Sequence, residues 1–415
     1  MIEAKTDTGK AVKIIDGVWW VGVNDRINPF FEGMWALPDG MRYNAYLVQG
    51  SEKTALIELV RDGFTDEFIR KVEEIIPLSQ VDYIIHNHME PDHTGGIPVI
   101  YEACSQAQVM ATAKGKNFLD QFYGFGERVT AVKDGDSIDL GGRTLRFFNY
   151  PWLHWPDTMF TYLEEEKVLF PCDAFGGYGA PEFGLFDDEI DLEAYWPEAK
   201  RYLGTIVASY LGHVVKAIDK WVKGGMGINI LCPSHGPVYR GNPMAIISRY
   251  QEWARNEKGE KVVMIVGSMW GNTHEMGAIV KHRLESNGLE VKYFDAATAE
   301  PGAVIGEMLQ AGGIVFGAPT YDANIYPRLE YFLMLFKGKK KNGYPVAAFT
   351  QNSWNVNVMP KINAYLEAMK SQIVEPQVVG HGAPDEEVKK ELEEMADNLT
   401  MVMKNVCVCP APVKS

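Results

Sequence analysis

The sequence predicts an α/β protein of two domains, with two sheets flanked by helices in the first and a doubly wound parallel sheet in the second. At 415 residues the chain is longer than one ordinary domain, which holds about 100–200 residues. Strand-like runs dominate its first part, whereas apolar runs alternate regularly with helical patterns in its second. The polar stretch at 254–261 contains a glycine and is typical of a linker. We expect domains at 1–255 and 256–409, and a tail at 410–415.

The elements of the first domain follow from apolar runs of strand length and from helical periodicity. Helices are expected at 65–76 and 97–103. Turn signals at Asp134-Gly135-Asp136 and Gly141-Gly142 separate the later strands. Strands are expected at 17–21, 43–48, 54–59 and 81–85, and a later one over 167–173.

The second domain alternates short apolar runs with helical stretches, which is the pattern of a parallel sheet with crossover helices. In chain order the expected elements are a strand at 262–266, a helix from Thr273, strands at 290–294 and 313–316, a helix around 329–335, a strand at 346–349 and a helix around 360–369.

Composition excludes several classes of protein. The chain is 46% hydrophobic and 23% charged, as in ordinary globular proteins, and its net charge of −15 argues against nucleic-acid binding. Residues 1–15 have no apolar core typical of a signal peptide, and no run approaches the roughly 18 apolar residues of a membrane span. We therefore expect a cytoplasmic protein that acts neither on nucleic acid nor in a membrane.

The five cysteines form no C-x-x-C pair, so the sequence contains no rubredoxin-type or zinc-ribbon module. Cys407 and Cys409 lie near the end of the sequence. We expect them to be incidental thiols in a frayed tail.

A dense group of possible metal ligands follows the strand expected at 81–85. Four of six consecutive residues there can ligate, and burying such groups is costly unless a cation compensates them. Three further candidates occur where apolar runs meet loops. The full set is His88, Glu90, Asp92, His93, His154, Asp173 and His235.

This set contains four imidazoles, three carboxylates and no thiolate, which suits iron, zinc or manganese. Seven ligands exceed what one ion takes, so two ions that share a carboxylate are expected. The three negative charges favour ions that reach the +3 state, as iron does. By strand alternation Cys172 is expected to point away from Asp173. His86 is expected to have a structural role rather than to ligate.

The residues 88–93 differ from the H-x-H-x-D-H motif of the metallo-β-lactamase superfamily because Glu90 stands in place of the second histidine. With L-H-W-P-D-T, the aspartate after a strand and P-S-H-G, the chain resembles the flavodiiron proteins over almost its full length. The resemblance implies a metallo-β-lactamase-like αββα sandwich followed by a flavodoxin-like domain. It also implies that one iron is held by His88, Glu90 and His154, the other by Asp92, His93 and His235, and that Asp173 bridges them.

Three loops of the second domain are expected at the carboxyl edge of the sheet, where ligands bind in doubly wound folds. The first opens a helix and can hold a phosphate, but it lacks G-x-x-x-x-G-K, so a nucleoside triphosphate is not expected. The domain resembles flavodoxin, which implies FMN. The candidate FMN-binding residues are Ser268, Met269, Trp270, Gly271, Asn272, Thr273, Pro319, Thr320, Tyr321, Asp322, Asn324, Ser353, Trp354 and Asn355.

One loop departs from the family pattern. Where many flavodiiron proteins have a glycine-rich loop, this chain has Ser353-Trp354-Asn355-Val356-Asn357. Glycine lets a backbone approach a flavin closely. Without it the loop can still bind FMN, but the flavin potential and the access of a donor do not follow from the resemblance.

The resemblance implies reduction of O2 to water, of NO to nitrous oxide, or of both, with electrons that pass through FMN to the two irons. The external donor would be rubredoxin or a reduced deazaflavin coenzyme. The resemblance also implies a head-to-tail homodimer or a dimer of such dimers. Glu32, Trp35 and Tyr43 are candidates for the substrate pocket.

Two other functions remain open at this point. The chain could be a zinc hydrolase of the lactamase fold fused to a flavodoxin-like module, a reading that Glu90 opposes. It could also be an electron-transfer or redox-sensing module with a structural metal, which would have a coordinatively closed site.

Overall fold

The computed structural model describes residues 5–181, 183–339, 341–354 and 356–407. The chain forms two compact units, residues 1–255 and 256–415. The expected tail at 410–415 and Cys409 lie outside the described residues.

The first unit contains short strands that are mostly buried. They are β1 (Val12–Ile15), β2 (Val18–Trp20), β3 (Val23–Asp25), β4 (Phe30–Phe31), β5 (Trp35–Ala36), β6 (Met41–Tyr43), β7 (Tyr46–Gln49), β8 (Thr54–Ile57), β9 (Tyr83–Ile85), β10 (Gln108–Thr112), β11 (Val129–Val132), β12 (Ser137–Asp139), β13 (Thr144–Asn149), β14 (Met159–Leu163), β15 (Val168–Phe170) and β16 (Ile230–Leu231).

These strands build two main sheets whose inner faces share one hydrophobic core. The larger has the order β1-β2-β7-β8-β9-β10-β11 and the smaller β12-β13-β14-β15-β16. Trp20, Ile85, Phe147 and Phe170 belong to the core cluster between them and are at most 1% exposed. The expected pair of sheets in the first domain is confirmed.

Helices surround the sheets, and Ile97–Ala103 has the predicted bounds. The α-helices are α1 (Thr65–Glu73), α2 (Pro91–Thr94), α3 (Ile97–Ala103), α4 (Ala113–Tyr123), α5 (Leu192–Tyr202), α6 (Leu211–Lys223) and α7 (Pro243–Arg255).

The strand expected at 43–48 is interrupted, and those expected at 17–21, 54–59 and 167–173 end early, at Trp20, Ile57 and Phe170. The run at 43–48 is divided between β6 and β7, because the Asn44 N–H donates to the Ser234 carbonyl 2.8 Å away and leaves the sheet. The run at 167–173 is a strand only as far as Phe170, and Cys172 has a positive φ of 53°. The metal-ligand candidate Asp173 therefore lies in a loop and not on a strand.

The second unit alternates strands and helices as predicted. Its elements are β17 (Lys261–Val266), α8 (Asn272–Ser286), β18 (Glu290–Asp295), α9 (Pro301–Glu307), β19 (Ala311–Tyr321), β20 (Asn324–Ile325), α10 (Pro327–Gly338), β21 (Pro345–Asn352), α11 (Met359–Ala368), β22 (Gln372–Ile373), β23 (Val378–His381) and α12 (Glu386–Cys407).

The main sheet of this unit is parallel, with the order β18-β17-β19-β21, and both β22 and β23 pair with the outer side of β21. This is the flavodoxin-like order of a doubly wound sheet, so the predicted fold class is confirmed. Helix α12 packs Leu392, Met395 and Leu399 into the same core as α8.

Strands β19 and β21 are longer than the apolar runs predict. Pro319 to Tyr321 lie within β19 rather than in a loop, because β20 folds back onto its end and Asp322 and Ala323 adopt positive φ in the turn. The backbone of Cys407 forms the last residue of α12, where a frayed tail was expected.

Within the described part of the chain, every helix is too short or too polar to cross a membrane.

Candidate metal centre and flavin edge

The seven predicted ligands come together at one end of the two sheets of the first unit. His88 and Glu90 lie in the loop after β9, Asp92 and His93 in the short helix α2, and the other three in loops after β13, β15 and β16. These residues fold together because each loop leaves a buried strand at the same end of the sandwich. The four histidines and Asp173 are at most 5% exposed.

The ligand atoms form two groups. One atom from each of His88, Glu90, His154 and Asp173 lies within 4.8 Å of the others, and the same holds for Asp92, His93 and His235. These are the two ligand sets that the family resemblance implies.

Asp173 faces both groups with different oxygens. Its Oδ2 lies 2.9 Å from Nε2 of His154, while its Oδ1 lies 2.9 Å from Nε2 of His93 and 3.2 Å from Nε2 of His235. A carboxylate placed in this way can bridge two ions. Adjacent ligands about 2.1 Å from one ion and at right angles to each other are themselves about 3 Å apart, which matches these separations.

The second group passes a chemical test for a cation site. Both oxygens of Asp92, Nε2 of His93 and of His235, and Oδ1 of Asp173 are buried and have no hydrogen-bond partner among the described residues. Several of these atoms nevertheless lie 2.9–3.4 Å apart. Atoms that are close but not aligned as donor and acceptor converge on a common point, as the lone pairs of metal ligands do. The donor set therefore fits two nitrogen- and oxygen-ligated ions.

Glu90 joins the first group between two imidazoles, with Oε2 3.2 Å from Nε2 of both His88 and His154. Burial opposes the charge on Glu90, but the hydrogen bonds from these histidines outweigh it and lower the pKa of the carboxyl. Burial likewise opposes protonation of His154, but hydrogen bonds to Asp173 and Glu90 raise its pKa to about 9. Carboxylate and imidazole thus stabilise each other's charged forms in this largely buried site.

Two of the histidines are oriented by hydrogen-bond acceptors at Nδ1, the ring nitrogen that faces away from the ligand groups. Nδ1 of His88 lies 3.2 Å from the Asp157 carboxylate, which also accepts the Met89 N–H at 2.8 Å. Nδ1 of His235 lies 2.8 Å from the carbonyl oxygen of Arg42. Both partners are acceptors, so they place a proton on Nδ1 and leave Nε2 free to bind a metal.

Sequence reasoning assigned no role to three residues near these ligands. Asp157 stands in the quoted L-H-W-P-D-T motif, so its position was visible. Tyr202 packs its ring 5.5 Å from that of His235, and its buried hydroxyl has no partner among the described residues. Glu58 accepts the Asn87 N–H at 2.9 Å, and its burial raises its pKa to about 8. Nothing in the sequence separates Tyr202 and Glu58 from packing residues.

The prediction for Cys172 was wrong. Its Sγ lies within 4.8 Å of a ligand atom of both His93 and Asp173. Strand alternation does not apply, because the strand ends at Phe170 and the backbone of Cys172 is left-handed. Burial raises the pKa of this thiol well above its usual range, so the protonated form, a poor metal ligand, is favoured.

His86 contacts Tyr101 through Nε2 at 2.9 Å.

The first unit has an open cleft of about 510 Å³ beside the two groups. Glu90 and Asp92 form part of its wall, together with the predicted pocket residues Glu32 and Tyr43. Arg61 reaches the Tyr43 hydroxyl at 3.3 Å. Trp35 is buried behind the cleft, and its indole N–H donates to Glu32 at 2.9 Å. An open side of this kind is typical of a catalytic centre rather than a closed structural site.

In the second unit, the predicted flavin residues lie at the carboxyl ends of the parallel strands. Ser268 to Gly271 connect β17 to α8, and Gly271 has a φ of 102° that permits the turn. The Gly271 N–H donates to Ser268 Oγ at 3.0 Å. Asn272 and Thr273 begin the helix, and Thr273 is buried.

The other two segments continue the same edge. Pro319, Thr320, Tyr321, Asp322 and Asn324 belong to the end of β19 and its turn, and Ser353 and Trp354 follow β21. Asn355 lies outside the described residues. Trp270, Trp354 and Tyr321 are 91%, 70% and 44% exposed. Three exposed aromatic rings and a helix N-terminus at one edge fit a planar ligand that carries a phosphate.

The glycine-poor loop is tied to its neighbours through one carbonyl. The Val356 oxygen accepts from Asn352 Nδ2 at 3.1 Å and from Thr320 Oγ1 at 3.3 Å. Asn352 Oδ1 is buried and has no hydrogen-bond partner in the part of the chain that the structure describes. An orphaned amide oxygen beside an open edge is available to a flavin, so the residues present fit FMN.

Comparisons with known proteins agree with this architecture. Residues 41–236 match the family model described as ODP family beta lactamase, and residues 264–395 match that of flavodoxin. The chain is 34% identical to a nitric oxide reductase of Moorella thermoacetica over 88% of this chain and 91% of that protein.

Two of the solved structures that are similar over nearly the whole chain illustrate the match. The rubredoxin oxygen:oxidoreductase of Desulfovibrio gigas has a TM-score of 0.91 at 28% identity, covering 96% of this chain and 100% of that one. The flavodiiron protein of Giardia intestinalis has a TM-score of 0.90 at 27% identity, covering 96% and 98%. The oxidoreductase interpretation is therefore supported over that of a zinc hydrolase. This chain belongs to the flavodiiron protein family, with an N-terminal β-lactamase-like domain and a C-terminal flavodoxin domain.

Proposed function

We propose that this chain reduces O2 to water or NO to nitrous oxide at the metal centre built from His88, Glu90, Asp92, His93, His154, Asp173 and His235. The observation that carries the proposal is the position of the Asp173 carboxylate, whose two oxygens face two separate ligand groups. Residues in this arrangement would hold two ions that share one carboxylate.

The ligand assignment follows the two groups. His88, Glu90 and His154 would hold one iron, Asp92, His93 and His235 the other, and Asp173 both. When bound, the two irons supply electrons to the gas, and FMN supplies electrons to the irons. Asp157 and the Arg42 carbonyl keep the imidazoles of His88 and His235 turned towards the centre.

The protein contributes the positions of these side chains and the cleft that leads to them. Glu32, Tyr43 and Arg61 surround the cleft through which the centre is reached. Tyr43 is held by Arg61, and burial raises the pKa of its phenol, so it remains protonated and can donate a hydrogen bond into the cleft. Both reactions consume protons, four for each O2 and two for each pair of NO molecules.

FMN binding is assigned to the three segments at the sheet edge of the second unit. Ser268, Gly271, Asn272 and Thr273 would hold the phosphate at the N-terminus of α8. Met269, Trp270, Pro319, Thr320, Tyr321, Asp322, Asn324, Ser353, Trp354 and Asn355 would surround the ribityl chain and the ring system.

The electron donor belongs to the proposal as an external carrier, rubredoxin or a reduced deazaflavin coenzyme. The name of the Desulfovibrio gigas protein supports rubredoxin. A homodimer, or a dimer of dimers, would let one chain's flavin serve its partner's metal centre.

We also place the protein in the cytoplasm, where the three buried free cysteines of the described residues would remain reduced.

The test combines metal analysis with anaerobic turnover. Iron near two per chain, with FMN near one, is expected. The reduced protein should then be rapidly reoxidised by O2 without peroxide, or by NO with formation of nitrous oxide. Zinc in place of iron, or a reduced flavin that neither gas reoxidises, would refute the proposal. Light scattering of the purified protein measures the oligomeric state independently.

A further inference from the structure

A second cavity in the first unit has an entirely different character from the cleft at the metal centre. It has a volume of about 310 Å³ and lies between the smaller sheet and helices α6 and α7. Its walls include Phe160 and Leu169 from the sheet, Ala217 and Trp221 from α6, and Ile247 from α7. We call it the apolar cavity.

No described residue that lines the apolar cavity carries a charge, a hydroxyl or an amide side chain. The one polar side-chain atom, the indole nitrogen of Trp221, already donates to the Met226 carbonyl at 3.0 Å. A buried water needs about two to four polar partners, which these side chains do not offer. The cavity is therefore suited to an apolar occupant rather than to water.

The apolar cavity reaches the surface at one end. Val222 and Met244 line it and are 62% and 47% exposed. An apolar solute can enter there without crossing a polar or charged wall.

The loop that follows Asp173 lies between the apolar cavity and the metal centre. Phe175, two residues after that carboxylate, lines the cavity. A Cβ on the next residue, Gly176, would lie 3.3 Å from Cβ of His235 and 3.2 Å from Cε1 of Tyr202. One short stretch of backbone thus faces the apolar cavity on one side and a metal-ligand histidine on the other.

We propose that the apolar cavity binds the small apolar gas on its route to the metal centre, as a second entrance beside the open cleft. This inference rests on the proposed function, since O2 and NO are the substrates there. Both are small, uncharged molecules that hydrogen-bond weakly and are held by dispersion. Dry apolar protein cavities of about 150 Å³ already take up xenon, which is bound in the same way.

Xenon is the probe for the cavity itself. Crystals of the complete FMN- and iron-loaded protein under xenon pressure should show xenon between Leu169, Ala217 and Ile247. Xenon confined to other places would overturn the proposal. The experiment requires no turnover, so its result is independent of the proposed reaction.

Filling the cavity tests the route. In Ala217→Leu the new side chain should displace xenon and lower kcat/KM for O2 or NO severalfold, while FMN content, iron content and the rate of anaerobic flavin reduction stay unchanged. The matched control is Asp219→Leu, which introduces the same side chain on the exposed face of α6. It should leave both xenon binding and kcat/KM as in the wild type.

The outcomes separate the two hypotheses. If the wild type binds xenon and Ala217→Leu displaces it, an unchanged kcat/KM in that variant would overturn the route. An equal loss of kcat/KM in Asp219→Leu would also overturn it. If Ala217→Leu fails to fold or to load its cofactors, Ile247→Phe is the second filling variant, read in the same way. A wild-type protein that consumes neither gas would refute the proposed function, whatever the xenon result.

Discussion

Nδ1 of His235 lies 2.8 Å from the carbonyl oxygen of Arg42, a backbone group that can only accept a hydrogen bond. This contact fixes the proton on Nδ1 and leaves Nε2, which lies 3.3 and 3.2 Å from the Asp92 and Asp173 carboxylates, free to bind a metal. His93, in the same ligand group, has no such support, because its Nδ1 is buried without a hydrogen-bond partner among the described residues. The two histidines of one proposed iron site are therefore held unequally.

The unequal support predicts unequal effects of substitution. His235→Ala should abolish retention of the second iron, whereas His93→Ala should weaken it less, because an unsupported imidazole contributes less to affinity by about 10- to 100-fold. Iron per chain after dialysis against a chelator measures both. Equal losses in the two variants would contradict the argument from orientation.

Asp157 offers a second test of orientation, since it acts on iron only through His88. Asp157→Asn preserves the shape of the side chain but removes the charge that favours a proton on Nδ1 of His88. Iron affinity should fall about 10- to 100-fold. FMN content should be unchanged, and Asp219→Asn on the exposed face of α6 is the matched control. Normal iron retention in Asp157→Asn would show that the imidazole is held by packing alone.

Glu90 tests the ligand set itself. Its carboxylate lies 3.2 Å from two imidazoles of the first group. In Glu90→Ala, and more selectively in Glu90→Gln, the first iron should be lost or turnover with both gases abolished, with FMN retained. Flavin absorbance, iron analysis and gas consumption give the three readouts. A variant with full activity and normal iron content would remove Glu90 from the ligands.

Much of the fold could be predicted because apolar periodicity reports burial directly. The βα alternation after residue 256 and the helix Ile97–Ala103 follow from it. The end of β19 could not be predicted, because the strand is extended by pairing with β20 across a turn of two left-handed residues. Such a pairing depends on tertiary contacts that a run of apolar residues does not encode.

The metal centre was visible in the sequence for a different reason. Seven side chains that can ligate a metal, at the ends of apolar runs, predict a metal centre, and the structure brings all seven together. What surrounds them was not visible. Cys172 approaches His93 only because its backbone leaves the strand, and Tyr202 reaches His235 from a distant helix. Those positions depend on loop geometry and helix packing rather than on local pattern.

Thr273 links the phosphate turn to FMN retention. It is buried in the first turn of α8, two residues after Gly271, whose backbone is left-handed. Loss of a hydroxyl that bonds a charged phosphate costs about 1.5–3 kcal/mol, so Thr273→Ala should weaken FMN binding at least about tenfold. Fluorescence titration of the apoprotein with FMN measures the change. Thr298→Ala, which lies outside the three edge segments, is the control, and an unchanged affinity in Thr273→Ala would move the phosphate contact elsewhere.

Lys341 should make the stability of the second unit depend on pH. This lysine lies between α10 and β21, is 5% exposed, and burial lowers its pKa to about 8. An unfolded lysine titrates near 10.5, so between about pH 8 and 10.5 the unfolded chain binds more protons than the folded chain. Stability therefore rises with pH across that interval, and the full cost of the buried charge is present below it.

Replacing Lys341 with methionine removes this cost while keeping an unbranched side chain. Relative to the wild type, Lys341→Met should stabilise the second unit by up to about 3 kcal/mol at pH 7, but by only about 1 kcal/mol at pH 9.5. Scanning calorimetry of the complete protein follows the melting of this unit, and Lys337→Met, at an exposed position of α10, is the matched control. A gain of equal size at both pH values would mean that methionine stabilises by packing and that the Lys341 ammonium reaches water in the folded state.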